Sequence, residues 1–278
     1  MDPVRAISLS ALCFLLLGGV LYFSTGEVYS GLFILPAVAA AAAYSLGPQL
    51  RWWYWQRNAP DLDTALAPLL ERFGPYRRLN LAGKREFRRR TFLYREATHF
   101  RGMAPIEDKI PDDVKVMVAA SAAAITFHRE QFLLKDVETV VFYLHSFPSP
   151  EHDRLHIVEF YGPDGAIIYK LNAMVRSVVE PDKYLQLGYY AYAQALLHVG
   201  PDLRQHLGAA TLTPEEVRQL ADFGEEALVN YIGLEEIDWE AITISLYHSH
   251  HERFASLFPR KFTQLNMAAP ARYLLGEA

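Results

Sequence analysis

The chain has 278 residues, of which 51% are hydrophobic and 21% charged, and a formal net charge of −5. That length holds one ordinary domain plus extras, and the acidic balance argues against nucleic acid as a partner. Its one cysteine, Cys13, excludes an intrachain disulfide and a cysteine-built metal site.

Residues 1–57 read as a membrane hairpin. Ala6–Ser24 and Tyr29–Leu50 carry no charged residue, and each approaches the roughly 20 residues a helix needs to cross the hydrocarbon core. No small-x-small cleavage site follows the first segment, which disfavours a removed signal peptide. Pro36 predicts a kink in the second segment. The connector "STGEVYS" has no Lys or Arg, whereas Arg5 precedes the pair and Arg51 and Arg57 follow it. The positive-inside rule then places both termini in the cytoplasm. "RWWYWQR", Arg51 to Arg57, has the aromatic and basic composition of a headgroup boundary.

Residues 58–68 form a polar, proline-bounded linker, and 69–278 the main domain. Leu69–Gly102 reads as helical, with ten basic residues against three acidic ones. Such a run is a solvated helix face or, tethered beside a membrane, a contact for anionic lipid. On the second reading Lys84, Arg85, Arg88, Arg89 and Arg90 join Arg51 and Arg57 at the lipid surface.

Further along, Asp112–Phe127 predicts a tightly packed central helix, with acids at its start and small residues along it. Val137–Phe147 and Leu155–Lys170 read as strands, the latter a pair split by the turn "GPDG". Helical pattern returns from Asp182 through His198. Thr213 is the expected N-cap of the helix opening "TPEEV", with others over Ile237–Ser249 and "FPRKFTQL". Helices, a few strands and more helices predict an α+β domain.

Three blocks carry a family resemblance: "FGPYRRLNLAGKREFRRRTFLYREATHFRGM", "IPDDVKVMVAASAAAITF" and "PDKYLQLGYYAYAQALL". Together, from Leu69 to Pro270, they resemble the MtfA-type zinc-dependent peptidases. These are bacterial proteins with a zinc-binding helix, and one member binds the glucose repressor Mlc. The resemblance implies a zincin-like domain at the bacterial inner membrane and a cytoplasmic protein partner such as a transcriptional regulator.

At the zinc helix this sequence departs from that family. Where the pattern has H-E-x-x-H, Tyr190 takes the place of the first histidine, Ala191 of the glutamate and Gln194 of the second histidine. The third ligand, a Glu seven residues after a Tyr, becomes Asp238 after Tyr231. Two histidines at i and i+4 grip one ion from a single helix face, and the glutamate between them takes a proton from the bound water. Gln194 offers a neutral amide, Tyr190 a phenol with an ordinary pKa of about 10, and Ala191 no base. The resemblance therefore implies a pseudopeptidase, a binding or regulatory module with no cofactor where the family uses zinc. Asp238 is expected to accept a hydrogen bond from Tyr190 or Gln194.

A second reading keeps a metallopeptidase with a rearranged site, drawing on Asp238 and on His198, His248, His250 and His251. The missing base separates the two. An exposed polar helix end is the ordinary account of "YHSHH". The other histidines, His99, His128, His145, His152, His156 and His206, lie singly in the sequence.

Overall fold

A computed structural model describes residues 3–26, 30–107 and 109–268. Two units divide the chain, Met1–Pro60 and Asp61–Ala278.

In the first unit, helix α1 (Pro3–Thr25) is long and apolar enough to cross a membrane. Helix α2 (Ser30–Ser45) has 16 residues, about 24 Å at 1.5 Å per residue, which falls short of a core about 30 Å thick. The second apolar segment is thus not one straight span. The chain breaks at Leu46 and bends by 77° into α3 (Gly47–Arg57). Only the bent pair together passes as a second crossing. Pro36 lies inside α2 without ending it; the break comes before Pro48, which fits the first turn of α3, where a missing N–H costs nothing. The whole aromatic stretch belongs to α3, and the Arg57 guanidinium lies 4.3 Å from the centre of the Trp53 ring. Part of the connector, residues 27–29, lies outside the described residues.

The second unit starts with a 3-10 turn at Ala67–Arg72, followed by α4 (Gly74–Arg78), α5 (Leu81–Ala97) and strand β1 (His99–Gly102). The segment Leu69–Gly102, which reads as helical, thus holds a 3-10 turn, two helices and a strand. Pro75 opens α4. Asn80 caps α5, its Oδ1 accepting from Gly83 N at 2.8 Å. β1 was not expected, because "HFRG" is too short to show alternation. Next come α6 (Asp112–Ile125), β2 (Thr139–Tyr143), β3 (Val158–Tyr161) and β4 (Ala166–Lys170). The sheet has the order β1-β2-β4-β3, with β1, β2 and β4 parallel and β3 antiparallel to β4. Gly165 closes the turn between β3 and β4 at φ +56°, and a Cβ there would sit 1.9 Å from Asp136 O. No other residue fits.

Helices complete the unit: α7 (Leu171–Val179), α8 (Leu187–Val199), α9 (Pro201–Leu207), α10 (Pro214–Ala221), α11 (Glu225–Ile232), α12 (Trp239–Ser249), α13 (His251–Leu257) and α14 (Pro259–Ala268). The unit is α+β and rich in helix, with a small mixed sheet. Thr213 caps α10 in a reciprocal capping box with Glu216. At its far end Asp222 turns left-handed, at φ 59°, which separates α10 from α11 where one helix had been expected.

Helix α8 lies at the centre of the unit, packed by α6, α7, α12 and β3. A helix apolar on all sides has to be buried, and this one is. Its tyrosines, Tyr189, Tyr190 and Tyr192, are each 1% exposed. Small residues on α6 allow the close approach of its neighbours.

The basic run on α5 is largely answered within its own unit. Lys84 pairs with Glu71 at 3.2 Å, Arg89 with Glu86 at 2.9 Å, and Arg88 reaches Tyr76 Oη at 3.1 Å. Arg90 departs furthest from the lipid-contact expectation, being buried at 7% exposure. It pairs with Glu86 at 2.7 Å and donates to the carbonyls of Phe127 at 2.8 Å, Arg129 at 2.9 Å and Thr126 at 3.3 Å. A rigid guanidinium fork there satisfies carbonyls at and beyond the C-terminal end of α6, where positive charge is favoured. Arg85 remains exposed.

Candidate functional site on helices 8 and 12

Tyr190 and Gln194 lie one turn apart on α8, and Asp238 is the N-cap of α12. The Asp238 backbone N–H donates to Tyr190 Oη at 3.3 Å, and Gln194 Nε2 lies 3.3 Å from the same oxygen. Ala191 is fully buried. The fold thus brings Tyr190, Gln194 and Asp238 together.

The bonding differs from the expectation. Asp238 does not use its carboxylate on Tyr190 or Gln194. Its Oδ1 accepts from Ala241 N at 3.0 Å, capping α12, and its Oδ2 takes Arg204 Nη2 at 2.8 Å. Arg204 also binds Glu240 at 3.0 Å. The physical reason is the N-cap: free amides at the start of α12 and a guanidinium compete better for a carboxylate than a phenol or an amide does. Sequence reasoning gave Arg204 no role, although a basic residue near a capping aspartate was a readable signal.

The phenol itself has one proton to place. With the Gln194 amide turned so that Oε1 faces Tyr190, the chain runs from Asp238 N–H to Tyr190 O and from Tyr190 O–H to Gln194. The amide atom pointing away is buried without a protein partner.

These residues do not fit a zinc ion. Burial holds the Tyr190 phenol protonated, its pKa pushed above the ordinary 10, and the nearby Asp238 charge adds to that against the backbone N–H that donates to it. A phenol, an amide, a methyl group and a carboxylate already committed to a cap and an ion pair offer one weak donor set and no general base.

The alternative histidine set does not converge either. His198 is exposed and lies edge-on to Phe160 on β3, ring centres 5.2 Å apart. His248 packs against Tyr189, its ring centre 5.7 Å away. His250 contacts Ser249 Oγ, and His251 Nδ1 faces Tyr247 O. Burial, then Arg78, His128 and His251, holds the His248 pKa well below the ordinary value, so its ring stays neutral. The side chain of His206 lies outside the described residues.

Two histidines read as single are in fact partners. His156 is completely buried, with Nε2 3.0 Å from Oε2 of buried Glu159, and His152 lies edge-on to it at 5.7 Å. Both sit in "EHDRLHIVE", whose two His and two Glu in nine residues were the available signal. Beside this segment, between it and helices α7 and α11, a cleft of about 450 Å³ is lined by Leu155, Ile157, Lys170, Arg176 and Tyr231. The chain matches no family model, no curated protein and no solved structure.

Proposed function

We propose that this chain is a membrane-anchored protein-binding module, a pseudopeptidase in which a zincin-like domain has no peptide-hydrolysing centre. The observation that carries the reading is the Tyr190–Gln194–Asp238 contact. A neutral hydrogen-bonded group fills the helix face where the MtfA-type peptidases, on the resemblance of the sequence, hold their metal. Ala191 leaves no base to activate water. Helix α1, with the bent α2–α3 pair, is the anchor, and the charge flanking them favours a cytoplasmic second unit at a bacterial inner membrane. The partner expected by family resemblance is a cytoplasmic protein such as a transcriptional regulator.

Hydrolysis of casein and a quenched peptide library by the full chain in detergent, with zinc supplied, tests the catalytic half. No turnover is expected. Turnover lost in Y190F or Q194A would overturn the reading. For the anchor, reporters fused at Glu27 and at the C-terminus should show export of the first and retention of the second; the reverse pattern would reject the cytoplasmic placement.

A further inference from the structure

The loop between β2 and β3 is tightly tied. Phe147 and His156 exchange backbone bonds, each 3.0 Å, and Ser149 and His152 do so at 2.9 and 3.2 Å. Ser149 Oγ also accepts from His152 N at 3.1 Å. At the base of the loop, Ile157 N bonds to Ile232 O at 2.9 Å and Lys170 N to Ile157 O at 2.8 Å. The backbone that carries these side chains is therefore set before any ligand arrives.

On this frame the ligating atoms of Glu151, His152 and Glu159 all lie within 4.8 Å of one another. Among the described residues this is the one His, Cys, Asp or Glu group of three or more that close. Its members differ in surroundings. Glu159 is 4% exposed, and its carboxylate accepts from Ser149 Oγ at 2.9 Å and meets His156 Nε2 at 3.0 Å. The His156 ring is fixed in turn by the contact of its Nδ1 with Arg154 O at 2.8 Å. By contrast, the His152 ring and the Glu151 carboxylate make no hydrogen bond or ion pair among the described residues. Two side chains with no hydrogen bond or ion pair face a third that is buried and held by Ser149 and His156.

We propose that Glu151, His152 and Glu159 form a binding site for a divalent transition ion of the zinc or manganese class. One imidazole and two carboxylates are a nitrogen–oxygen set that suits such ions, and three protein ligands leave at least one position for water. Ligand atoms around a tetrahedral zinc lie about 3.3 Å apart, and rotation of the Glu151 and His152 side chains, neither held by a hydrogen bond, supplies the contraction. Ser149 and His156 hold the Glu159 carboxylate, as supporting groups hold the ligands of metal sites. The ion would pin the Glu151 and His152 side chains to Glu159 and balance the charge of two carboxylates otherwise close together. This site is separate from the α8 face, so it carries no implication of peptidase chemistry.

The test is titration of chelator-treated full chain in detergent with Zn²⁺ and Mn²⁺, by calorimetry and by metal analysis after desalting. One ion per chain is expected, with a rise in melting temperature on loading. H152A and E151Q change half-buried and exposed side chains and should fold; H152A is expected to weaken binding by about 100-fold or more and to remove the thermal shift. E159Q serves as a third variant wherever its melting curve without metal matches that of the wild type. Y190F and Q194A should bind as the wild type does. The proposal is overturned if no ion binds, if H152A and E151Q bind like the wild type, or if only the Tyr190 and Gln194 variants lose the ion. The last outcome would place metal on α8 and sink the pseudopeptidase reading as well, whereas the first two leave that reading standing.

Discussion

Asp238 gives its backbone N–H to the phenol of Tyr190 at 3.3 Å while its carboxylate turns the other way, to Ala241 N and Arg204. One residue thus ties the start of α12 to α8 through Tyr190 and to α9 through Arg204, and caps α12 itself. Y190F removes the hydroxyl, leaving the Asp238 N–H without its acceptor and the Gln194 amide without its donor. A buried polar group stripped of its partner costs about 1–3 kcal/mol, so urea denaturation of Y190F should show a loss in that range. D238A should lose about 1 kcal/mol from the cap, and D238N, which keeps a capping oxygen, less. Y190F stability equal to wild type would mean that the phenol is not part of what holds α8 to α12.

Arg90 gives a larger expected effect from a residue that looks replaceable. Its guanidinium meets Glu86 and three carbonyls while lying 4.6 Å from the centre of the Phe132 ring. Lysine keeps the charge but cannot spread several donors in a plane. R90M, which removes the charge and leaves three carbonyls without their donor while Glu86 keeps Arg89, should cost about 3 kcal/mol or more, and R90K should fall between it and the wild type. By contrast R85A, at an exposed position of the same helix, should change stability by less than about 0.5 kcal/mol. Equal effects at 85 and 90 would remove Arg90 from the core.

That contrast shows what a sequence can and cannot tell. Composition and period gave the apolar N-terminal helix, the α+β class, α6 to within two residues, and the turn at Gly165, because each is a local property of the chain. Arg90 and Arg85 look alike in a row of arginines; only the path of the chain after α6 turns one of them into a cap. The same holds at the site. Tyr190, Gln194 and Asp238 are grouped in the sequence only by what the family resemblance implies, and the direction of the Asp238 carboxylate depends on Arg204, 34 positions away. His152 and His156 read as single because the loop that folds them toward Glu159 has no periodicity to reveal it.

Acid should weaken the second unit through its histidines. Burial, then Arg129 and Arg90, lowers the His128 pKa from 6.5 to about 4. Burial and Arg78 lower His251 to about 4, against the Tyr247 carbonyl and Glu252, which raise it. His248, between them beside Arg78, is held well below its usual value. In the unfolded chain these rings take a proton near 6.5, so through that window the unfolded state binds more protons than the folded one. Stability from these groups is full above about pH 6.5 and is lost as pH falls toward 4. Denaturation midpoints measured from pH 7.5 to 4.5 should decline, and H128Q should decline less steeply. A flat profile across that range would show that the rings are not held neutral by the fold.

Helices α6 and α8 approach each other closely at Ser121 and Gly188. A Cβ on Gly188 would lie 2.2 Å from Ser121 Oγ, 2.7 Å from Ser121 Cβ and 3.0 Å from Met174 Cε. Ser121 is completely buried on α6, its hydroxyl donating to Met117 O at 2.9 Å. The hydroxyl can rotate away, but the Ser121 Cβ is fixed to the helix backbone, so α6 and α8 would have to separate. G188A should therefore destabilise the unit by about 1–3 kcal/mol through overpacking, despite alanine's better helix propensity. S121G alone should cost about 1 kcal/mol as a glycine inside a helix. Combining them exchanges the small partner across the contact, so S121G/G188A should be more stable than the sum of the single losses, by roughly 0.5–3 kcal/mol of coupling. Strict additivity would show that the two positions do not meet, and that α6 and α8 pack through other residues.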